Sequence, residues 1–168
     1  MENSVTEKHN FTSLIESPVK DGEEKAPLRV IFICTGNTCR SPMAAAVLNH
    51  LGKGKYVATS AGISAFFGDS ISEDALQALK NAGIPSTADN DYENHFSRLI
   101  REEMLSECDK AVAISSRHLL SLLRAFPEYA DKLTVMKKDI SDPYMLGAEE
   151  YEKCLSEITE CIKEMFSL

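Results

Sequence analysis

The 168-residue sequence has no tryptophan, only 8 glycines and 6 prolines, and fewer basic than acidic side chains. With 18 Lys and Arg against 26 Asp and Glu, its net charge is −8. This charge argues against nucleic acid as a partner, because binding a polyphosphate backbone requires a basic surface. No apolar run approaches the ~20 residues of a membrane-spanning helix. We therefore expect neither nucleic acid nor a membrane as a partner. Any anion site must be built from backbone dipoles and one or two arginines.

The cysteine content does not indicate a disulfide framework. The five cysteines are an odd number without framework spacing, which is typical of a reducing compartment. No set of Cys and His has metal-ligand spacing, so we predict no metal site and no cofactor. Residues 1–26 lack the apolar middle region of a secretory signal, and we expect a cytoplasmic protein.

Composition divides the chain into a polar extension and one folded domain. Residues 1–27 are acid-rich and without sustained periodicity, which predicts a solvated tail with room for a short helix near Phe11–Ile15. Residues 28–168 form the predicted domain, long enough for one hydrophobic core and short for two. We expect this domain to be a monomer.

Strands and helices alternate along the domain. Short apolar stretches rich in β-branched residues predict buried strands at 29–34, 56–62, 110–115 and 132–137. Helical patterns occupy 42–52, 72–83, 97–107, 116–126 and 148–166. This order predicts an α/β fold, a doubly wound four-stranded parallel sheet with helices on both faces.

The stretch CTGNTCRSPMA, residues 34–44, falls at the carboxyl end of the first strand, where such sheets bind ligands. Ser41 suits the N-cap of the next helix and Pro42 its first position. Backbone N–H groups of the loop and the helix dipole make an anion pocket. Gly36 and Asn37 are the residues best able to adopt the left-handed conformations of a tight loop.

Cys34 and Arg40 indicate the chemistry of this loop. The amide dipoles and Arg40 stabilise a thiolate, which is placed to attack phosphorus. The planar guanidinium of Arg40 can bind two phosphoryl oxygens at once. A nucleotide P-loop is excluded because Gly-Lys-Ser/Thr is absent. Inert core thiols are disfavoured, since a strand–helix loop is a poor place to bury both Cys34 and Cys39. A disulfide between Cys34 and Cys39 remains an alternative, as a side reaction of a reactive thiolate.

The loop resembles the signature of the low-molecular-weight protein phosphatases, a Cys, five residues and then Arg-Ser. Further matches, in the same order, are Ser60–Gly62, His95–Arg98 and Asp142–Tyr144, so the resemblance spans residues 29–166. It implies the fold predicted above and a two-step reaction. Cys34 would accept the phosphoryl group, and Asp142 would first protonate the leaving group and then deprotonate a water.

The resemblance also implies roles for the residues around Cys34 and Arg40. Phosphate would be bound by Thr35, Gly36, Asn37, Thr38, Cys39 and Ser41. Ser60 and His95, with Asn37 and Ser41, would support the loop through hydrogen bonds. Without the resemblance, Asp142 is an ordinary turn residue.

Other titratable residues receive no functional role from the sequence. Asp139 is expected to be a solvated loop acid. His50 and His118 fall in helical stretches, and His9 falls in the tail. Cys154 and Cys161 belong to the apolar stripe of the last helix and are predicted core residues.

Thr38 and Tyr144 are the candidate specificity residues. Phosphotyrosine enzymes of this family usually carry Ile or Leu at the position of Thr38, whereas threonine resembles the protein-arginine phosphatases. A side chain of this size typically changes selectivity by only ~1–3 kcal/mol. Phe66 and Phe67 could each face the substrate or pack internally. We predict a protein-arginine phosphatase acting on phosphorylated proteins, with a tyrosine phosphatase as the alternative.

Two other classes share parts of this pattern. A thiol-dependent arsenate reductase has the same fold and loop, but it also needs resolving cysteines. Ser115 and Leu122 stand at the positions where those cysteines would be expected. Cys108 lies before the third predicted strand, which is the wrong place for one. A non-catalytic phosphoprotein-binding module would be expected to lose Cys34, Arg40 or Asp142, and all three are present.

Overall fold

The computed structural model describes residues 26–168. The predictions for the tail, including His9 and the short helix near Phe11–Ile15, lie outside these residues. Within the described part of the chain, no helix has both the length and the apolar character required to cross a bilayer.

The described residues form an α/β fold in which all strand pairs are parallel. The elements are β1 (Leu28–Cys34), α1 (Arg40–Gly52), β2 (Tyr56–Gly62), α2 (Glu73–Asn81), α3 (Glu102–Glu107), β3 (Lys110–Ala113), α4 (Ser116–Ala125), a 3-10 turn (Pro127–Tyr129), β4 (Leu133–Val135) and α5 (Ala148–Phe166). The sheet order is β2-β1-β3-β4, and the predicted four-stranded doubly wound sheet is confirmed.

Helices cover both faces of the sheet. On one face Val30 and Phe32 of β1 pack with α1, α2 and α5, and on the other Ile31 and Ile33 pack with α3 and α4. The nearly continuous apolar sequence of β1 follows from this burial on both faces. Cys154 and Cys161 of α5 are buried in the first of these cores, as predicted.

The predicted helix over 97–107 is wrong for its first part, because α3 begins only at Glu102. The backbone before it pairs with the end of β2 instead. Gly62 N donates to Arg98 O, and Ile100 N donates to Gly62 O, each at 2.9 Å. These bonds hold the segment extended beside the candidate site.

The start of α1 also differs from the prediction. The helix begins at Arg40, its N-cap is Cys39, and Ser41 and Pro42 lie inside the first turn. The Ser41 hydroxyl is occupied by contacts with other side chains described below. Of the two residues expected in a left-handed conformation, only Asn37 has a positive φ, 57°, and the prediction for Gly36 is wrong.

Candidate active site

The loop between β1 and α1 lines a cavity of about 270 Å³ at the carboxyl edge of the sheet. The cavity brings together the predicted nucleophile, arginine, acid and loop residues. Its lining consists of Cys34, Thr35, Gly36, Asn37, Thr38, Cys39, Arg40, Ser64, Phe66, Asp69, Asp142 and Tyr144. Ser64 and Asp69 were missed, because nothing in their local sequence distinguishes them from ordinary loop residues.

The backbone of the loop is available to bind an anion. Within residues 26–168, the N–H groups of residues 36–40 donate no hydrogen bond, and Cys39 provides no side-chain cap for α1. Unpaired N–H groups at a helix N-terminus carry a partial positive charge and favour an oxyanion. The loop and the first turn of α1 therefore form an anion cradle.

The Cys34 sulfur lies at the floor of this cradle, 3.0 Å from the Ser41 hydroxyl oxygen. Ser41 Oγ also donates to Ala61 O at 3.2 Å. When the sulfur is ionised, the single hydroxyl proton of Ser41 can turn from the carbonyl to the sulfur. Ser41 is not among the residues that line the cavity, and its hydroxyl contacts the thiol. Its role in binding phosphate stays a prediction.

Arg40 is buried, with 6% of its surface exposed. Its Nη1 donates to Ile140 O at 3.2 Å, and its Nη2 lies 2.7 Å from Asp142 Oδ2. The remaining Arg40 nitrogen, Nε, is buried without a hydrogen-bond partner among the described residues. A buried unpaired donor is costly unless a ligand satisfies it, and an anion in the cradle could accept from it.

Asn37 is fully buried, and both ends of its amide are hydrogen-bonded. Its Nδ2 donates to the hydroxyls of Ser41 and Ser60, each at 2.9 Å, and its Oδ1 accepts from Arg98 N at 3.0 Å. Left-handed backbone is unfavourable for a residue with a side chain, and such a conformation persists where its surroundings hold it. The predicted support by Ser41 and Ser60 corresponds to these contacts.

His95 contacts the same turn from the other side. Its Nε2 donates to Asn37 O at 2.7 Å, which fixes the tautomer with the proton on Nε2. Burial lowers the pKa of His95, and the nearby Arg98 charge lowers it further, against the effect of the bond to Asn37. His95 therefore contacts the loop and does not line the cavity.

His118 contacts the loop too, although the sequence predicts no role for it. Its Nε2 lies 2.9 Å from Thr35 Oγ1, and its Nδ1 lies 2.8 Å from Ser115 Oγ. Burial, with the Arg40 and Arg117 charges, lowers the pKa of His118 to about 4. The ring is thus neutral at neutral pH, with one nitrogen donating and the other accepting. The spacing Ser-x-x-His after a strand could have indicated the contact with Ser115, but no local pattern indicates the contact with Thr35.

Gly62 allows the end of β2 to approach the loop closely. A Cβ atom at this position would collide with the carbonyl oxygen of Thr35 and would lie 3.1 Å from Asn37 N. Both neighbours are backbone atoms that cannot move without distorting the loop. Gly62 is needed for this close approach, and its φ is not positive.

The exposed aromatic residues divide between two surfaces. Phe66 and Tyr144 line the cavity and are 81% and 64% exposed, whereas Phe67 is 87% exposed and faces a neighbouring groove. Neither phenylalanine is a packing residue.

Asp139 is exposed, as predicted. It accepts hydrogen bonds from the Ser116 N–H and hydroxyl at the start of α4, and these bonds lower the pKa of Asp139.

The other cysteines lie outside the reactive position. Cys39 Sγ contacts Ser72 Oγ at 3.3 Å and the Tyr151 hydroxyl at 3.2 Å. Burial raises the pKa of Cys154 to about 12 and also raises that of Cys108. Within residues 26–168, no cluster of three or more His, Cys, Asp or Glu side chains is arranged to hold a metal ion. The predicted absence of a metal site stays a prediction.

Comparison with known proteins shows that the chain is similar to phosphatases. The family model described as "Low molecular weight phosphotyrosine protein phosphatase" matches residues 29–167. A protein-arginine-phosphatase of Geobacillus stearothermophilus is 33% identical over 146 residues, covering 83% of this chain and 94% of that protein.

Two solved structures have the same fold. A low molecular weight protein tyrosine phosphatase from T. tengcongensis is 37% identical, with a TM-score of 0.77 over 83% of this chain and 98% of the other. A cysteine-to-serine mutant of the arginine phosphatase YwlE, with a phosphorylated active-site serine, is 27% identical. Its TM-score is 0.76 over 83% of this chain and 94% of that one.

Proposed function

Because the chain belongs to the low molecular weight phosphotyrosine protein phosphatase family, we propose that it hydrolyses phosphoarginine side chains of proteins through a phosphocysteine at Cys34. The chain is a phosphatase, and phosphorylated proteins are the substrates of its family. The observation that carries the finer assignment is Thr38, which lines the cavity within the anion cradle.

In the first step the Cys34 thiolate attacks the phosphorus atom, forming an S–P bond as the P–N bond to the arginine side chain breaks. The N–H groups of residues 36–40 and the Arg40 guanidinium bind the phosphoryl oxygens. Asp142, which lines the same cavity, gives a proton to the departing nitrogen. The nitrogen of guanidine is a far stronger base than phenolate, so this proton is essential for phosphoarginine.

In the second step a water molecule attacks phosphorus and the S–P bond breaks. The Asp142 carboxylate takes a proton from the water, which regenerates the acid and releases inorganic phosphate and the Cys34 thiolate. The Ser41 hydroxyl, 3.0 Å from the sulfur, stabilises this thiolate as the leaving group. Two moderate barriers thus replace one high barrier.

Thr38 supports phosphoarginine as the substrate. It is half-buried at the cavity and presents a hydroxyl where an aliphatic side chain would present only methyl groups. A guanidinium group is polar on every edge, and burying its N–H donors against methyl groups leaves them unpaired, at a cost of about 1–3 kcal/mol each. A threonine hydroxyl can accept one of these donors.

A tyrosine phosphatase is the second candidate, because two aromatic side chains line the cavity. Phe66 and Tyr144 could pack against the ring of a phosphotyrosine. The same aromatic faces could also stack on a planar guanidinium.

The proposal also includes three predictions from the sequence, namely a cytoplasmic location, a monomeric state and a domain that begins at residue 28.

The deciding experiment compares kcat/KM of the wild-type chain on two peptides of one sequence, with either phosphoarginine or phosphotyrosine at the same position. We expect the phosphoarginine peptide to be hydrolysed with the higher kcat/KM. A clear preference for the phosphotyrosine peptide would assign the enzyme to the second candidate function. The Cys34→Ala variant serves as the control and should hydrolyse neither peptide.

A further inference from the structure

We propose that Asp69 binds the guanidinium group of a phosphoarginine substrate and thereby favours phosphoarginine over phosphotyrosine. This inference rests on the proposed function and adds a residue to it. It follows from where the backbone holds Asp69, from the lack of a partner for its carboxylate, and from the charges around the cavity.

The segment carrying Asp69 is fixed to the anion cradle at both ends. At its start Ser64 N donates to Thr35 O at 3.0 Å, and at its end Ser72 N donates to Thr38 O at 2.8 Å. The residues between these two bonds therefore form a wall of the cavity. Phe66 and Asp69 are the side chains that this wall contributes to the lining beyond Ser64.

Asp69 itself is held by Ser97, a fully buried residue. Its N–H donates to Ser97 Oγ at 3.0 Å, and its carbonyl accepts from Ser97 N at 2.8 Å. Both main-chain groups of Asp69 are thus satisfied by one neighbour. The carboxylate is presented at the rim of the cavity from a fixed backbone, which favours recognition without a large entropy cost.

The Asp69 carboxylate is available for a ligand. Among the hydrogen bonds and ion pairs of residues 26–168, none reaches its oxygens. Two other aspartates at this edge of the sheet already have partners. Asp142 is paired with Arg40, and Asp139 accepts a hydrogen bond from Ser116. Asp69 is therefore the lining carboxylate that a substrate does not have to detach from an internal partner.

The charges lining the cavity favour a substrate that carries a cation. They are one guanidinium, Arg40, and two carboxylates, Asp69 and Asp142. A phosphotyrosine side chain brings only negative charge, which Asp69 repels. Phosphoarginine brings N–H donors on nitrogens beyond the phosphorylated one, and a carboxylate accepts from such donors in a charge-assisted hydrogen bond. No bond of the substrate changes at Asp69, and no proton is transferred to it.

The test is Asp69→Asn, which keeps the shape of the side chain and removes its charge. The matched control is Asp131→Asn, which makes the same charge change at an exposed residue that does not line the cavity. For each variant and the wild type, kcat/KM is measured on paired phosphoarginine and phosphotyrosine peptides and on para-nitrophenyl phosphate, which has no N–H donor.

We expect Asp69→Asn to lower kcat/KM on the phosphoarginine peptide about tenfold, as for the loss of a charge-assisted hydrogen bond at a solvated rim. Activity on the phosphotyrosine peptide and on para-nitrophenyl phosphate should stay level or rise, and Asp131→Asn should change none of the three. Thermal unfolding of Asp69→Asn should match the wild type, because the main-chain bonds to Ser97 remain.

Equal effects on all three substrates, or no effect on phosphoarginine, would overturn the role of Asp69 while leaving phosphoarginine as the substrate. A wild type that hydrolyses phosphotyrosine but not phosphoarginine would overturn the proposed function and this inference together. The wild-type comparison and the variant comparison thus separate the two failures.

Discussion

The guanidinium of Arg40 and the carboxylate of Asp142 form an ion pair, with 2.7 Å between Nη2 and Oδ2. Arg40 is buried, whereas the Asp142 side chain is 51% exposed. A phosphoryl group in the cradle would compete with Asp142 for the guanidinium. Binding of the substrate would then free the Asp142 carboxyl group to take up a proton from solvent and to face the leaving group, which needs that proton.

Replacing Arg40 with lysine should preserve the charge but not the function. An ammonium group cannot bind Asp142, Ile140 O and a phosphoryl oxygen in the fixed geometry of a planar fork. We expect kcat/KM to fall about 10²–10³-fold, as for the loss of a preorganised transition-state donor. Steady-state kinetics on para-nitrophenyl phosphate measures this. An Arg40→Lys enzyme within threefold of the wild type, a margin of about 0.7 kcal/mol, would contradict the role of the fork.

Asn37 should contribute to stability through its side chain and through its backbone, and two variants separate these contributions. Asn37→Gly removes the side-chain amide but tolerates the left-handed φ. It leaves the half-buried Arg98 N–H without its acceptor, at a cost of about 1 kcal/mol. Asn37→Ala adds a left-handed penalty of about 1 kcal/mol to the same loss. Chemical denaturation should give the order wild type, Gly variant, Ala variant. An alanine variant as stable as the glycine variant would show that the backbone is not held in this conformation.

His118 should make the fold less stable in mild acid. Its pKa is lowered to about 4, whereas an unfolded histidine titrates near 6.5. Between these pH values the unfolded chain binds more protons, so this contribution to the free energy of unfolding is complete above about pH 6.5 and is lost toward pH 4.

His118→Gln should flatten the decline of stability between about pH 6.5 and pH 4. His50→Gln, at an exposed histidine of α1, is the matched control and should leave the decline in place. Urea unfolding at several pH values measures both variants. If the His118 variant keeps the slope of the wild type, the ring is not held neutral by its burial and by the nearby Arg40 and Arg117 charges.

Thr38→Ile should shift the substrate preference from phosphoarginine toward phosphotyrosine. The change removes a hydroxyl and adds apolar bulk to the cavity, which is typically worth ~1–3 kcal/mol, or roughly 10–200-fold in the ratio of kcat/KM values. Thr59→Ile makes the same change at an exposed position of β2 and should leave the ratio unaltered. An unchanged ratio in the Thr38 variant would remove the main support for phosphoarginine.

The fold and the loop could be predicted because their signals are local. The apolar run of β1 and the apolar stripe of α5 each follow from the local pattern of apolar residues. The segment before α3 is extended and not helical as predicted, because its shape depends on hydrogen bonds to Gly62, far away in the sequence. Ser41 does not cap α1 as predicted, because its hydroxyl contacts Cys34, and the sequence does not reveal this contact.

Residues that act through tertiary contacts gave weaker signals. His118 reaches Thr35 across 83 positions of sequence, and neither helical spacing nor composition indicates such a pair. Asp69 lies in a loop whose course is fixed by Ser97 and by the cradle. Long-range hydrogen bonds, rather than propensity or pattern, decide both positions, and only the folded chain displays them.

The most direct test of the account is to trap phosphate on Cys34. In the Asp142→Asn variant, an aryl phosphate with a good leaving group should still phosphorylate the sulfur, but hydrolysis of the S–P bond should slow because no base activates the water. Rapid acid quenching and peptide mass spectrometry should then locate one phosphoryl group on Cys34, and none in the Cys34→Ala/Asp142→Asn double variant. Substrate turnover without phosphate on Cys34, or phosphate that persists in the double variant, would contradict the account.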